Sequence, residues 1–264
     1  MRVNLRKTLF ILPNLFTLSS IFCGFYATLL CATDPDAEAF YRASLLIVFA
    51  MFFDTMDGRV ARLTKTQSAF GVQIDSLADV VSFGVAPAVL VYEWSLHSLG
   101  TGGAIAAFAF CACGAIRLAR FNVLAMGAGG APKKPSKYIL GLPIPGAAGI
   151  LVSVIVANHT VDGPLASSPS LVLGVVIALS FFMVSTIKFR SFKDVKLGWR
   201  TFVFVGFALA SSAAIALRFH ISFALVWLLC CYVALALGET VFHLSRRGVP
   251  PQEEVAEERK DEAA

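Results

Sequence analysis

Charge is scarce in this chain. Only 15% of its 264 residues are Asp, Glu, Lys or Arg, where a soluble domain carries roughly a quarter. With 57% hydrophobic residues and a mean hydropathy of +0.76, the shortage excludes an ordinary soluble globule and describes a membrane protein. Basic residues are almost missing from one side of the apolar segments. Arg42 and Arg218 alone fall there, against 20 of the 22 Lys and Arg on the other side. The net charge of +5 is therefore read as topology, not as a nucleic-acid surface, with some attraction to anionic lipid. Metal-binding cysteine patterns are also lacking. Cys23, Cys31, Cys111, Cys113, Cys230 and Cys231 form no C-x-x-C or Cys/His arrangement and read as small buried thiols. The basic start has no convincing cleavage site, and its apolar run is too long for a signal peptide. No internal repeat is evident, which weighs against an inverted-repeat transporter.

What is present is a series of long apolar runs. Spanning the hydrocarbon core takes roughly 20 apolar residues, and eight stretches qualify: about 10–32, 38–60, 70–95, 101–124, 138–160, 168–188, 200–219 and 221–244. The expected fold class is all-α, a polytopic membrane helical bundle. By the positive-inside rule both termini and the loop after the second span face the cytoplasm, which implies the inner (cytoplasmic) membrane. The acidic, apolar-poor stretch 247–264 reads as a disordered tail, and "GAGGAPKKPSK" (127–137) as a flexible loop. Pro143 and Pro145 are expected to kink the fifth helix.

Against this background, "FDTMDGRVARLTKTQSAFGVQIDSLAD" (53–79) stands out. Asp54 and Asp57 are three apart near the end of the second span, and Asp75 and Asp79 are four apart near the start of the third. Both spacings put two carboxylates on one helical face. The short connection predicts an antiparallel helix pair that brings all four together. Such a group repels itself unless cations sit among it, and hard oxygen ligands suit Mg²⁺ or Mn²⁺. Intramembrane acids are costly and point to function. Gly58 and Ala61 remove bulk beside Asp57, and Arg62 can engage phosphate, although an arginine here also fits an ordinary cytoplasmic flank.

The full string, Asp54-x₂-Asp57-Gly58-x₂-Ala61-Arg62-x₈-Gly71-x₃-Asp75-x₃-Asp79, resembles the signature of the CDP-alcohol phosphatidyltransferase family at every fixed position. The resemblance implies a six-helix catalytic core, here within residues 1–190, followed by two further helices in 191–246. It also implies a homodimer and a site for two divalent ions that activates a CDP-linked lipid. In the family pattern Asp54, Asp57, Asp75 and Asp79 are metal ligands, with Asp79 also the general base. Gly58, Ala61, Arg62, Ser68 and Gly71 fall at positions that serve the CDP-lipid. Pro13, Asn14 and Thr17 in "LPNLFTL" match residues that line the nucleotide pocket, though they also fit a Pro-led helix start with a capping Asn.

The flanks "RLARFNV" (117–123), "KYILGLPIPGAAG" (137–149) and "MVSTIKFRSFKD" (183–194) resemble the bacterial integral-membrane phosphatidylserine-forming branch of that family. This implies transfer of a phosphatidyl group from CDP-diacylglycerol to the hydroxyl of L-serine, releasing CMP. Arg117 and Arg120 are the candidates for holding serine's carboxylate, with membrane-face anchoring as the competing role. A phosphatidyltransferase for another alcohol, such as glycerol phosphate or inositol phosphate, stays open, as does a cation transporter from a different class.

Overall fold

Apolar runs of this length satisfy their backbone groups in lipid only as helices or closed barrels, and helices form here. The computed structural model describes residues 5–33, 35–66, 68–125, 138–190, 210–212 and 227. Helix α1 spans Leu5–Thr33 and α2 spans Ala37–Leu63, opened by Asp36, whose carboxylate accepts from the Ala39 N–H at 2.6 Å. Helix α3 (Ala69–Asp79) runs through a π-helical turn (Val80–Val85) into α4 (Ala86–Trp94). Helix α5 spans Thr101–Ala125, α6 Ile144–Thr160 and α7 Pro169–Val184. Four stretches are long and apolar enough to cross a membrane: Leu12–Thr33, Ala37–Leu63, Ala69–Trp94 and Thr101–Leu124. Helices α6 and α7 are shorter apolar helices. The seventh and eighth predicted spans, and the acidic tail, fall outside the described residues apart from 210–212 and 227.

One expectation is corrected here. The fifth span was expected from residue 138, with a kink at its prolines. Instead Pro143 is the N-cap of α6 and Pro145 lies in its first turn, where a missing N–H leaves no bond unmade. The prolines start the helix and do not bend it. Residues Tyr138–Leu140 form strand β1, paired antiparallel with β2 (Lys188–Arg190), so that Tyr138 faces Arg190. The expected pairing of the second and third spans is met, with α2 packed against the third span and their acids brought together. Both lie against α1, and the sequence continuing from α3 meets α2 mainly further along, at α4. Helix α1 makes room with a buried stripe at alternating steps of four and three: Pro13, Thr17, Ser20, Gly24, Ala27 and Cys31. At Gly24 a Cβ would stand 2.7 Å from the Ser82 Cα, so only glycine permits this approach.

The core between the helices is filled by Ile47, Phe83, Leu90, Phe110, Ile144, Ile155 and Met183, all fully buried. Large apolar side chains such as Phe22, Phe108 and Phe181 project outward, as expected of helices whose outer faces meet lipid. At the end of the bundle that carries the aspartates, the β1–β2 ladder joins the start of α6 to the end of α7. Gly141 closes it with φ +76°, its N–H donating to Ile187 O at 2.9 Å. A Cβ there would collide with Met183 O. Gly141→Ala is accordingly expected to destabilise the fold by about 1–3 kcal/mol. Gly174→Ala, where a Cβ meets nothing within 4 Å, serves as the control. Thermal unfolding in detergent checks this, and equal midpoints for the two variants would refute it.

Candidate active site

The acids gather where their spacing directs them. Ligand oxygens of Asp54, Asp57 and Asp75 lie within 4.8 Å of one another. Asp57 is buried, and Asp54 and Asp75 are half-buried. Asp79, one turn beyond Asp75, comes within hydrogen-bonding contact of Asp54, and its Oδ1 is buried with no hydrogen-bond partner. Arg117 of α5, itself buried, interacts electrostatically with Asp79 and lies over the Phe121 ring, 5.3 Å from its centroid.

Local chemistry explains how each acid is held. Helix α2 ends in a tight turn at Thr64, Lys65 (φ 54°) and Thr66, where the two threonine hydroxyls are 2.7 Å apart. Ser68 then caps α3, its Oγ accepting from the Gly71 N–H at 3.0 Å. Ser68 and Gly71, expected at the CDP moiety, thus fix the start of the helix that carries Asp75 and Asp79. From α1, the Thr17 hydroxyl donates to Asp57 Oδ2 at 2.6 Å. Pro13 is buried on the same face one turn earlier, and Asn14 beside it is half-buried.

The remaining expected residues divide. Gly58 faces open space, with nothing within 4 Å of a built Cβ; Ala61 is half-buried and Arg62 exposed at the last turn of α2. The two candidate arginines of α5 do different things. Arg120 donates to Val184 O at 2.9 Å and Ser185 O at 3.0 Å, which caps the C-terminal end of α7 with a cation. Arg117 points to the acids. Sequence reading missed Ser20, Ser82 and Asn122. The Asn122 amide donates to the Ser76 hydroxyl at 2.9 Å, tying α5 to α3 beside Asp75. A stripe of small residues on α1 was the available signal for Ser20; nothing in the sequence marks Asn122.

The arrangement offers hard oxygen donors, an orphaned buried carboxylate oxygen and a guanidinium, that of Arg117, which interacts electrostatically with Asp79. That donor set fits a divalent cation of the Mg²⁺ or Mn²⁺ type. The profile described as CDP-alcohol phosphatidyltransferase matches residues 10–184. The chain belongs to that family. It is 39% identical over 201 residues to the protein of Helicobacter pylori strain J99 named CDP-diacylglycerol–serine O-phosphatidyltransferase, covering 75% of this chain and 79% of that one. The protein of the same name in Bacillus subtilis strain 168 is 34% identical over 182 residues, 69% of this chain and 91% of that one. Another, from Methanocaldococcus jannaschii, is 38% identical over 151 residues, 56% and 64% of the two chains. As a CDP-alcohol phosphatidyltransferase with four apolar helices of spanning length, the chain is an integral membrane protein.

Thr17 gives this site a direct test. A metal-ligating carboxylate depends on the group that orients it, and losing such a partner typically lowers metal affinity about 10–100-fold. Thr17→Val keeps the volume and removes the donor, so Mn²⁺ affinity, followed by EPR titration, should fall within that range. Thr17→Ser should stay close to the parent, and an unchanged Thr17→Val would show that Thr17 does not orient Asp57 for a metal.

Proposed function

We propose that this protein transfers the phosphatidyl group of CDP-diacylglycerol to the hydroxyl of L-serine, forming phosphatidylserine and releasing CMP. The observation that carries the reading is the acid cluster, complete at every fixed position of the family string and gathered at one end of the bundle. The names of the relatives and the matching flanks supply the acceptor.

In this reading Asp54, Asp57, Asp75 and Asp79 hold two divalent ions. When bound, the ions neutralise the diphosphate and the departing CMP. Gly58 faces open space, so the diphosphate can approach the backbone beside Asp57. Arg62 supplies a cation at its rim, and Pro13, Asn14 and Ala61 border the nucleotide. Asp79 takes the proton from the serine hydroxyl. The freed oxygen attacks the phosphorus attached to the diacylglycerol, and the bond from that phosphorus to the CMP oxygen breaks. Arg117, beside Asp79, is placed to hold serine's carboxylate through its planar fork, whereas Arg120 is committed to α7. The basic asymmetry puts the site and both termini at the cytoplasmic face. Six helices, α1, α2, the continuous α3–α4, α5, α6 and α7, form the catalytic core, with two more spans following and a homodimer as the assembly.

The deciding experiment supplies purified protein with CDP-diacylglycerol, Mg²⁺ or Mn²⁺ and a panel of alcohols, with product identification. CMP release that requires serine and yields phosphatidylserine is expected. Release with glycerol phosphate or inositol phosphate instead would overturn the acceptor assignment. Asp54→Asn, Asp57→Asn and Asp75→Asn should each abolish turnover, and near-parent activity in any two across a range of metal concentrations refutes the two-ion site.

Gly58 separates binding from folding. Its surroundings are empty, and leucine is a far better helix former than glycine, so Gly58→Leu should fold at least as well as the parent. The added side chain would occupy that space, and the KM for CDP-diacylglycerol should rise about tenfold or more, each factor of ten being about 1.4 kcal/mol of lost binding. An unchanged KM would place the diphosphate elsewhere.

A further inference from the structure

The helix that carries Asp75 and Asp79 changes its winding immediately after Asp79. From Val80 to Val85 it is a π-helix, in which the Ala86 N–H reaches back five residues to Val81 O. The cause lies in the sequence. Pro87 has no N–H to offer the carbonyl four residues back, and its ring would strike that carbonyl in an α-helix. A wider turn relieves both problems. The turn carries one extra residue, so the helix before it is rotated relative to the helix after it by about one residue's step, near 100°.

This rotation decides which way the acids point. Beyond the turn, Ala86, Leu90 and Val91 face the core and are fully buried. Before it, Asp75 and Asp79 face the other acids. The turn is also pinned from outside. Ser82, fully buried, donates to Ser20 O at 2.9 Å and accepts from the Ser20 hydroxyl at 3.3 Å. Gly24 brings α1 against the Ser82 backbone. The same stripe of α1 sends Thr17 to Asp57. One helix therefore registers both acid pairs.

We infer that the π-turn, made by Pro87 and pinned by Ser20, Gly24 and Ser82, is a positioning device that aims Asp79 at the acceptor hydroxyl. The inference rests on the proposed role of Asp79 as base. Pro87→Ala restores the N–H and removes the ring, allowing the tighter winding, while Ser82→Ala releases the pin. A misplacement of about 1 Å can lower turnover by about 100-fold. Each variant should lose about 10- to 100-fold in kcat. Pro87→Ala should keep or raise the thermal midpoint, because a good helix former replaces proline. Ser180→Ala, which removes a buried hydroxyl bonded only within α7, controls for the loss of a buried serine and should keep the parent's kcat.

The closing measurement is the residual turnover of Asp79→Asn with and without Pro87→Ala. If the turn acts through Asp79, the second substitution adds less than about threefold. A full additional loss in the Asp79→Asn background, or parent-like kcat in both Pro87→Ala and Ser82→Ala, overturns the inference while the base assignment stands. Parent-like turnover by Asp79→Asn alone overturns the base assignment itself, and the positioning role with it.

Discussion

Four carboxylates meet at one end of an apolar bundle, and the Arg117 guanidinium interacts electrostatically with one of them, Asp79. Like charges a few ångströms apart in partly desolvated surroundings repel strongly. A carboxylate removed from water is tolerated only with hydrogen bonds or opposite charge around it. The features around the acids answer that demand. The Thr17 hydroxyl reaches Asp57, the Arg117 charge faces Asp79, and three oxygens converge to leave a place for a cation.

Helix α1 holds both acid-bearing elements in place. Its buried stripe is small or polar at almost every step, which lets both acid-bearing elements come close without a bulky side chain between them. A leucine at residue 24 would force α1 off the π-turn, and a valine at residue 17 would leave a buried carboxylate without its donor. Packing and chemistry are therefore carried by the same side chains. A second fastening works at the same end, where Arg120 caps α7 and the β1–β2 ladder ties α6 to it. It holds the α5 end, with Arg117, against α7 through a set of contacts separate from the acids. At the opposite end the contacts are of another kind, such as the stacked rings of Tyr41 and His159 at 4.7 Å, and they bring no acid toward the site.

Much of this was legible from local spacing. Apolar run lengths located α1, α2, α3–α4 and α5 to within a few residues, since a bilayer of fixed thickness demands helices of fixed length. The steps of three and four between aspartates gave their faces, because helical geometry depends on neighbours in sequence alone. What escaped depended on partners distant in sequence. Strand β1 pairs with residues some fifty positions later, so it reads as the beginning of a helix until β2 is beside it. Arg117 and Arg120 are alike in type and flank. Only the position of α7 sends one to a helix end and leaves the other to the acids.

The sequence by itself determined that this is a membrane helical protein, which residues are its acids, and on which helical faces they stand. The tertiary structure decided the distance between those faces and the helix that registers them. Spacing along one helix is set by its own backbone hydrogen bonds. The gap between two helices is set by a third, and by charges that meet only when all three are in place.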